Sequence, residues 1–150
     1  MKIEEKINES IKDSMKKKDN LRLDSLRAIK SAILIEKTKS GSKDDIDEPV
    51  ILKILQKMVK QRNDSAKIYL EQKRDELANV EISQANIISE FLPAQLSESD
   101  LSEIIDTVIT DIGAESMKDM GKVISGVTEK VSGQAEGRII AEIVKRKLMS

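Results

Sequence analysis

The stretch Glu90-Phe91-Leu92-Pro93-Ala94-Gln95-Leu96-Ser97 divides the chain, because it contains the only phenylalanine and one of the two prolines. A proline lacks the amide hydrogen that a helix needs and disfavours helical dihedrals in its predecessor, so the preceding helix is predicted to end near Leu92. Ser97 is predicted to begin the next helix, because its hydroxyl can accept a first-turn amide. The segment 93–97 is therefore predicted to be a hinge between two helical modules.

The fold predicted from this division is all-α. The modules are residues 1–92, with about three helices, and residues 93–150, a three-helix bundle joined to the first at Pro93. Tyr69 and Phe91 are the only aromatic residues, so leucine, isoleucine, valine and methionine must form the core. Such a core suits helix bundles better than β-sandwiches, and no β-hairpin signal competes.

Apolar periodicity defines the first two helices. A narrow stripe recurs every four residues at Ile3, Ile7, Ile11 and Met15, which predicts a first helix of about sixteen residues. A second helix is predicted from Asn20, as its cap, to Lys39, ending at the glycine of Ser40-Gly41. The narrow first stripe is also a candidate surface for self-association through the N-terminal helix.

A long third helix is predicted to start at Asp47-Glu48-Pro49, since proline is tolerated in a first turn. Its apolar stripe weakens after Met58, so we expect this helix to leave the core and project. A shorter apolar pattern beyond Asn79 leads into the hinge. The acidic residues of the preceding loop are expected to be solvated rather than to form a calcium loop; they are Asp44, Asp45, Asp47 and Glu48.

Three shorter helices follow the hinge. The first carries Leu101 to Ile112 and stops at Gly113. The second opens with the capping signature Ser116 to Asp119 and ends near Gly133. The last runs from about Glu136 to Leu148, and its terminal cations complement the negative end of the helix dipole.

A net charge of -1 conceals a strong segregation of charge. Residues 1–40 carry 11 basic and 7 acidic groups, and residues 53–74 carry 7 basic against 2 acidic. Residues 75–115 contain 10 acidic groups and no lysine or arginine, whereas residues 116–150 contain 7 basic and 4 acidic groups. Basic surfaces that can meet a polyanion are therefore predicted on both sides of an acidic block.

The absence of histidine and cysteine excludes Ser-His-Asp and Cys-His catalysis and zinc sites built from those ligands. Gly121-Lys122 is not a phosphate-binding P-loop, because Ser116 stands where that motif needs glycine. We expect no catalytic residue, no metal site and no cofactor. The charge-rich N-terminus and the lack of a long apolar run predict a soluble cytoplasmic protein without a membrane span.

Three short motifs resemble the YqeY family, and the resemblance covers nearly the whole chain. They are Phe91-Leu92-Pro93-Ala94-Gln95-Leu96, Asp119-Met120-Gly121-Lys122-Val123 and Gly133-Gln134-Ala135-Glu136-Gly137. Further likeness lies in Arg22-Leu23, Leu26-Arg27, Lys60 to Ser65 and Arg74 to Ala78 with Glu81. Glu136 departs from the usual aspartate of the last motif and keeps its charge.

The half of the chain from about Glu81 also resembles the tail domain of the B subunit of the glutamine-dependent tRNA amidotransferase. That resemblance implies a helical, tRNA-binding domain, with aminoacylation or amidotransferase components as partners. It associates the chain with carbon-nitrogen ligases, but the catalytic cradle and the glutaminase of those enzymes have no counterpart here. We therefore expect an accessory factor rather than an enzyme that transfers ammonia by itself.

The candidate RNA-binding residues lie around two glycine turns of the second module. They are Gly121, Lys122, Lys130, Gly133, Gly137 and Arg138. Gly121 costs a helix about 1 kcal/mol relative to alanine, and two explanations remain open: a neighbouring helix approaches it closely, or its bare backbone admits a phosphate. The glycines of the later turn either reverse the chain or expose amides to an anion.

A secondary basic surface is predicted on the first module. Its residues are Arg22, Arg27, Lys60, Arg62 and Arg74. Each is either a solvated surface charge or a phosphate contact. Scarce aromatic residues favour a folded RNA recognised by shape and phosphates over a single strand held by stacking. The alternative function is a helical protein-interaction or self-association module without RNA binding.

Overall fold

The computed structural model describes residues 2–41 and 46–149, and all regular structure in those two stretches is helical. The prediction of an all-α fold is confirmed. The helices are α1 (Ile3–Lys17), α2 (Asn20–Ser40), α3 (Glu48–Glu71), α4 (Asp75–Ser89), α5 (Glu98–Ile112), α6 (Met120–Val131) and α7 (Gly137–Met149), with a 3-10 turn at Met117–Asp119. Asp44 and Asp45 of the acidic loop lie outside the described residues.

The chain divides into two compact units, with the boundary between Leu92 and Pro93. The unit before the boundary contains α1 to α4, and the unit after it contains α5 to α7. That each unit is an independent domain stays a prediction, and a test of it is given in the Discussion.

The turn between α1 and α2 is formed by two residues that satisfy the helix ends. Lys18 adopts a left-handed conformation with φ 56°, and its amide donates to the carbonyl of Met15. The side chain of Asp19 then accepts the amide of Arg22 at 3.2 Å, so Asp19 caps α2. The sequence prediction placed this cap one residue later, at Asn20.

The core of the first unit draws on all four of its helices. It contains Ile3, Ile7, Leu26, Ile29, Ile33, Ile51, Leu52, Leu55, Met58 and Ile88. Ile3 and Ile7 are thus buried inside the protein, and Ile11 is partly buried, whereas Met15 is 55% exposed. The narrow stripe of α1 therefore packs mainly within its own unit, and self-association through this helix stays a prediction.

The break between α3 and α4 lies earlier than the sequence prediction beyond Asn79. Lys73 turns the chain with φ 60°, and the amide of Arg74 donates to the carbonyl of Tyr69 at 2.8 Å. The first unit therefore has four helices rather than about three. A left-handed lysine carries no sequence signal comparable to glycine, which explains why the turn was missed.

α3 and α4 form an antiparallel hairpin, the α3–α4 hairpin. In the half of the hairpin nearest the core, the buried side chains are large, such as Leu55, Met58 and Ile88. Its distal half, residues 60–71 and 75–86, instead buries the small residues Ala66, Ala78 and Ala85. Small side chains allow close helix approach, so the distal half is held mainly by contact between the two helices.

The second unit encloses a separate aliphatic core between α5, α6 and α7. Its buried members are Leu101, Ile105, Val108, Val123, Val127, Val131, Ile140, Ile143 and Val144. The predicted stop of α5 is present, because Gly113 has φ 73° and its amide donates to the carbonyl of Ile109 at 2.9 Å.

The linker, residues 93–97, is hydrogen-bonded within the second unit. The amide of Leu96 donates to the carbonyl of Gln134 at 2.9 Å, and Gln95 Nε2 donates to the carbonyl of Gly133 at 3.0 Å. Gln134 Nε2 donates back to the carbonyl of Ala94 at 3.4 Å. Residues 94–96 of the proline motif are thus hydrogen-bonded to Gly133 and Gln134 of the later glycine motif.

Candidate nucleic-acid interface

The first turn of α6 contains Gly121 and Lys122, and two side chains hold the turn before it by accepting backbone amides. Ser116 Oγ accepts the amide of Lys118 at 3.4 Å, and Asp119 Oδ2 accepts the amide of Glu115 at 3.1 Å. Both Gly121 and Lys122 are exposed, and Lys122 has no ion pair among the described residues. The capping signature therefore delivers an exposed cation at the start of α6.

Gly126, not Gly121, is the point where another helix approaches α6. A Cβ atom added to Gly121 would meet no atom within 4 Å, which excludes the explanation that a neighbour needs this glycine. A Cβ atom on Gly126 would lie 3.0 Å from Cγ1 of Val108 and 3.5 Å from Cδ1 of Ile112. The packing of α5 on α6 therefore uses a glycine that the sequence prediction passed over.

Substitution of the two glycines is expected to change stability in opposite directions. Gly121→Ala should raise the free energy of unfolding by up to about 1 kcal/mol, because alanine favours a helix and meets open space. Gly126→Leu should lower it by about 1 to 3 kcal/mol through overpacking against Val108. Chemical denaturation measures both, and a Gly126→Leu variant as stable as the parent would contradict the close approach.

Lys130 and Arg138 flank the glycine turn between α6 and α7, but each is near a carboxylate. Lys130 Nζ lies 3.9 Å from Asp111 Oδ2. Arg138 lies 3.7 Å from Glu136 and 3.3 Å from Glu142. A phosphate would have to compete with these acids. Lys122 is at the other end of α6, about 12 Å from Lys130 along the helix axis.

The glycine turn itself is occupied mainly by the linker. Gly133 has φ 85° and reverses the chain, and its carbonyl accepts the Gln95 side chain. Gly137 is the first residue of α7, and a Cβ atom there would meet nothing within 4 Å. This geometry explains Gly133 as a chain-reversal residue and leaves Gly137 without a steric reason.

The predicted secondary surface is spread over three helices of the first unit. On α2, Arg22 Nη1 is 2.5 Å from Glu90 Oε2, whereas Arg27 is exposed.

On α3, Arg62 is half-buried and donates from Nη1 to the carbonyl of Met58 at 3.3 Å. Lys60 pairs with Asp64 at 2.6 Å, and Arg74 stands exposed at the start of α4.

A row of lysines along α3 is the feature that the sequence prediction missed. The α3 lysine row consists of Lys53, Lys57, Lys60 and Lys67, all exposed and spaced by four, three and seven residues. This spacing places them on one helix face over about 21 Å. Of these four lysines, Lys60 alone has an ion pair within the part of the chain that the structure describes. The helical spacing of this row is present in the sequence, but only Lys60 of the row lies in a segment that resembles the family motifs.

Known proteins share this chain's sequence pattern. A family model described as Yqey-like protein matches residues 4–148. "Altered inheritance of mitochondria protein 41, mitochondrial" from Clavispora lusitaniae is 31% identical over 106 residues, which cover 69% of this chain and 61% of that protein. The protein of the same name from Kluyveromyces lactis is 28% identical over 108 residues, covering 71% and 58%. The chain spans less than two thirds of the length of these relatives.

The prediction of a cytoplasmic protein is wrong, because these relatives are named as mitochondrial. Composition determines solubility, whereas the compartment depends on an address that a receptor reads, so composition was the wrong guide. Within the described stretches, every helix is too short or too polar to cross a membrane. The likeness to the amidotransferase tail stays a prediction.

Proposed function

The chain belongs to the Yqey-like protein family, and from that premise we propose that it is a non-catalytic RNA-binding factor that holds a folded RNA, such as tRNA, by its phosphates. The α3 lysine row carries this proposal. Four exposed lysines share one face of a single rigid helix, and Asp64 is the acid that lies among them and pairs with Lys60. A cationic face of this kind is the electrostatic footprint of a polyanion-binding surface.

The length of the α3 lysine row and the scarcity of aromatic residues in the chain support a folded RNA as the partner. A row about 21 Å long can contact several phosphates, because phosphates repeat at intervals of a few ångströms along a helical nucleic acid. Base stacking is unsupported, since Tyr69 and Phe91 are the only aromatic residues and both are partly buried. Recognition would then depend on shape and phosphates.

The predicted C-terminal residues remain a second candidate surface. Lys122 supports it, because this lysine is exposed and unpaired among the described residues. Lys130 and Arg138 support it less, because their neighbouring carboxylates lie within 4.0 Å. Aminoacylation or amidotransferase components are proposed as partners of the RNA-bound form, with no ammonia transfer by this chain alone.

Removal of the first three lysines of the row should weaken RNA binding. In the triple variant Lys53→Ala, Lys57→Ala and Lys60→Ala, the slope of log affinity against log salt concentration should fall by about three units, one for each lost phosphate contact. Affinity for bulk tRNA at low salt should fall by at least about tenfold. Filter binding between about 50 and 300 mM salt measures both quantities.

A matched control removes the same charge from α1, with Lys6→Ala, Lys12→Ala and Lys16→Ala, three exposed lysines of another helix. It should retain most of the salt slope. A second comparison is the pair Lys122→Ala and Arg138→Ala. Loss of binding in that pair alone would move the site to the second unit, and absence of salt-dependent tRNA binding in the parent would refute the RNA function.

A further inference from the structure

An apolar stripe runs along α4 and beyond its end, with the spacing of a packed helix interface. Its apolar members are Leu77, Val80, Ile87 and Phe91, with the polar Gln84 between the two halves, and the five positions follow alternating intervals of three and four residues. Ile87 and Phe91 pack against the core of the first unit. Leu77 is 44% and Val80 is 45% exposed. One half of the stripe is therefore covered and the other half is open.

The covered half indicates what kind of structure fits the open half. Ile87 and Phe91 belong to the cluster that contains Leu26 and Ile29 of α2, so a helix packs over that part of the stripe. Intervals of three and four residues are those of helices that pack side by side. The open half lies where α3 and α4 meet through Ala66 and Ala78, which leaves the larger side chains outside.

The charges beside the open half restrict the partner. Residues 75–115 contain no lysine or arginine, so α4 itself places only acidic charges beside the stripe, and Arg74, directly before α4, is the cation next to it in the chain. Arg74 and Glu81 flank the stripe seven residues apart on the same side. Neither side chain has an ion pair among the described residues. In an antiparallel pair of identical helices, this side of one helix faces the same side of the other.

We propose that the open half is a dimerisation surface, on which α4 of a second copy of this chain packs antiparallel. A two-fold axis between Leu77 and Val80 places Leu77 of each copy against Val80 of the other. The same axis brings Arg74 of each copy within one helical turn of Glu81 of the other. Opposite charges at such flanking positions set the orientation of paired helices. The α3 lysine row is on another helix, so this inference is independent of RNA binding.

Sedimentation equilibrium of the full chain over a range of concentrations tests the proposal. The parent should dimerise, and Val80→Asp should raise the dissociation constant by about 100-fold, because the symmetry places a carboxylate against an apolar Leu77 at two points of the interface. Ile82→Asp is the matched control on the same helix but another face, and it should leave the dissociation constant unchanged. Helical circular dichroism confirms that each variant is folded.

A charge exchange tests the antiparallel register. Arg74→Glu and Glu81→Arg should each weaken dimerisation by about tenfold, because each brings like charges together. The double variant restores opposite charges and should recover most of the parent affinity. A parent that stays monomeric at every concentration, a dimer indifferent to Val80→Asp, or a double variant no stronger than the single ones would overturn the proposal.

Discussion

Leu55→Ala is expected to lower the free energy of unfolding of the first unit by about 3 to 4 kcal/mol. Leu55 is fully buried in the first half of α3 and belongs to the cluster to which all four helices of its unit contribute. Removing most of its side chain loses apolar burial and leaves a cavity that rigid helices fill only in part. For a unit of this size such a loss is a large share of the total stability.

Chemical denaturation followed by helical circular dichroism measures this loss. Leu34→Ala is the matched control, since Leu34 is 63% exposed on α2, and it should change the free energy of unfolding by less than about 0.5 kcal/mol. Equal effects of the two substitutions would contradict the packing of α3 into the core. If the proposed RNA function holds, the Leu55→Ala variant that remains folded at low denaturant should bind RNA as the parent does, because the α3 lysine row lies on the exposed face of that helix.

The fold was predictable where a local signal controls the backbone. Ser97 was expected to cap α5, and its Oγ accepts the amide of Asp100 at 3.1 Å. Gly41 and Gly113 were expected to end helices, and both adopt positive φ. Caps and stops involve residues within four positions of each other, so one sequence contains all the information they need.

Features that depend on distant residues were not predictable in the same way. Gly121 and Gly126 are both glycines within one helical pattern, but only the fold reveals that Val108 approaches Gly126. Lys73 turns the chain because the alanine-lined contact of α3 with α4 stabilises the hairpin, although lysine does not favour a positive φ. Tertiary packing, rather than local preference, decides such positions.

The candidate site also contains some features that local sequence predicts and others that depend on distant residues. The lysines of the α3 lysine row are spaced along one helix, and Arg138 and Glu142 are four residues apart on another. Such neighbours can be predicted from sequence spacing alone. The approach of Asp111 to Lys130 joins α5 to α6 and needed the fold. A sequence can therefore list its cations, but their availability to a phosphate depends on the carboxylates that folding brings near them.

Ile105→Ala is expected to unfold most of the second unit while the first stays folded. Ile105 is fully buried in the separate core of α5, α6 and α7. The substitution should cost about 2 to 5 kcal/mol, and a unit of about 60 residues has only marginal stability to lose. Limited proteolysis should then degrade residues 93–150 and leave the helices before Leu92 protected.

The same variant tests which unit carries the proposed RNA-binding surface. If the α3 lysine row is the binding surface, Ile105→Ala should bind tRNA with an affinity within about threefold of the parent and an unchanged salt slope, because its phosphate contacts remain. Leu101→Val, a smaller truncation in the same core, controls for nonspecific effects of destabilisation. Loss of binding in Ile105→Ala alone would place the site on the second unit, and unfolding of both units together would refute their independence.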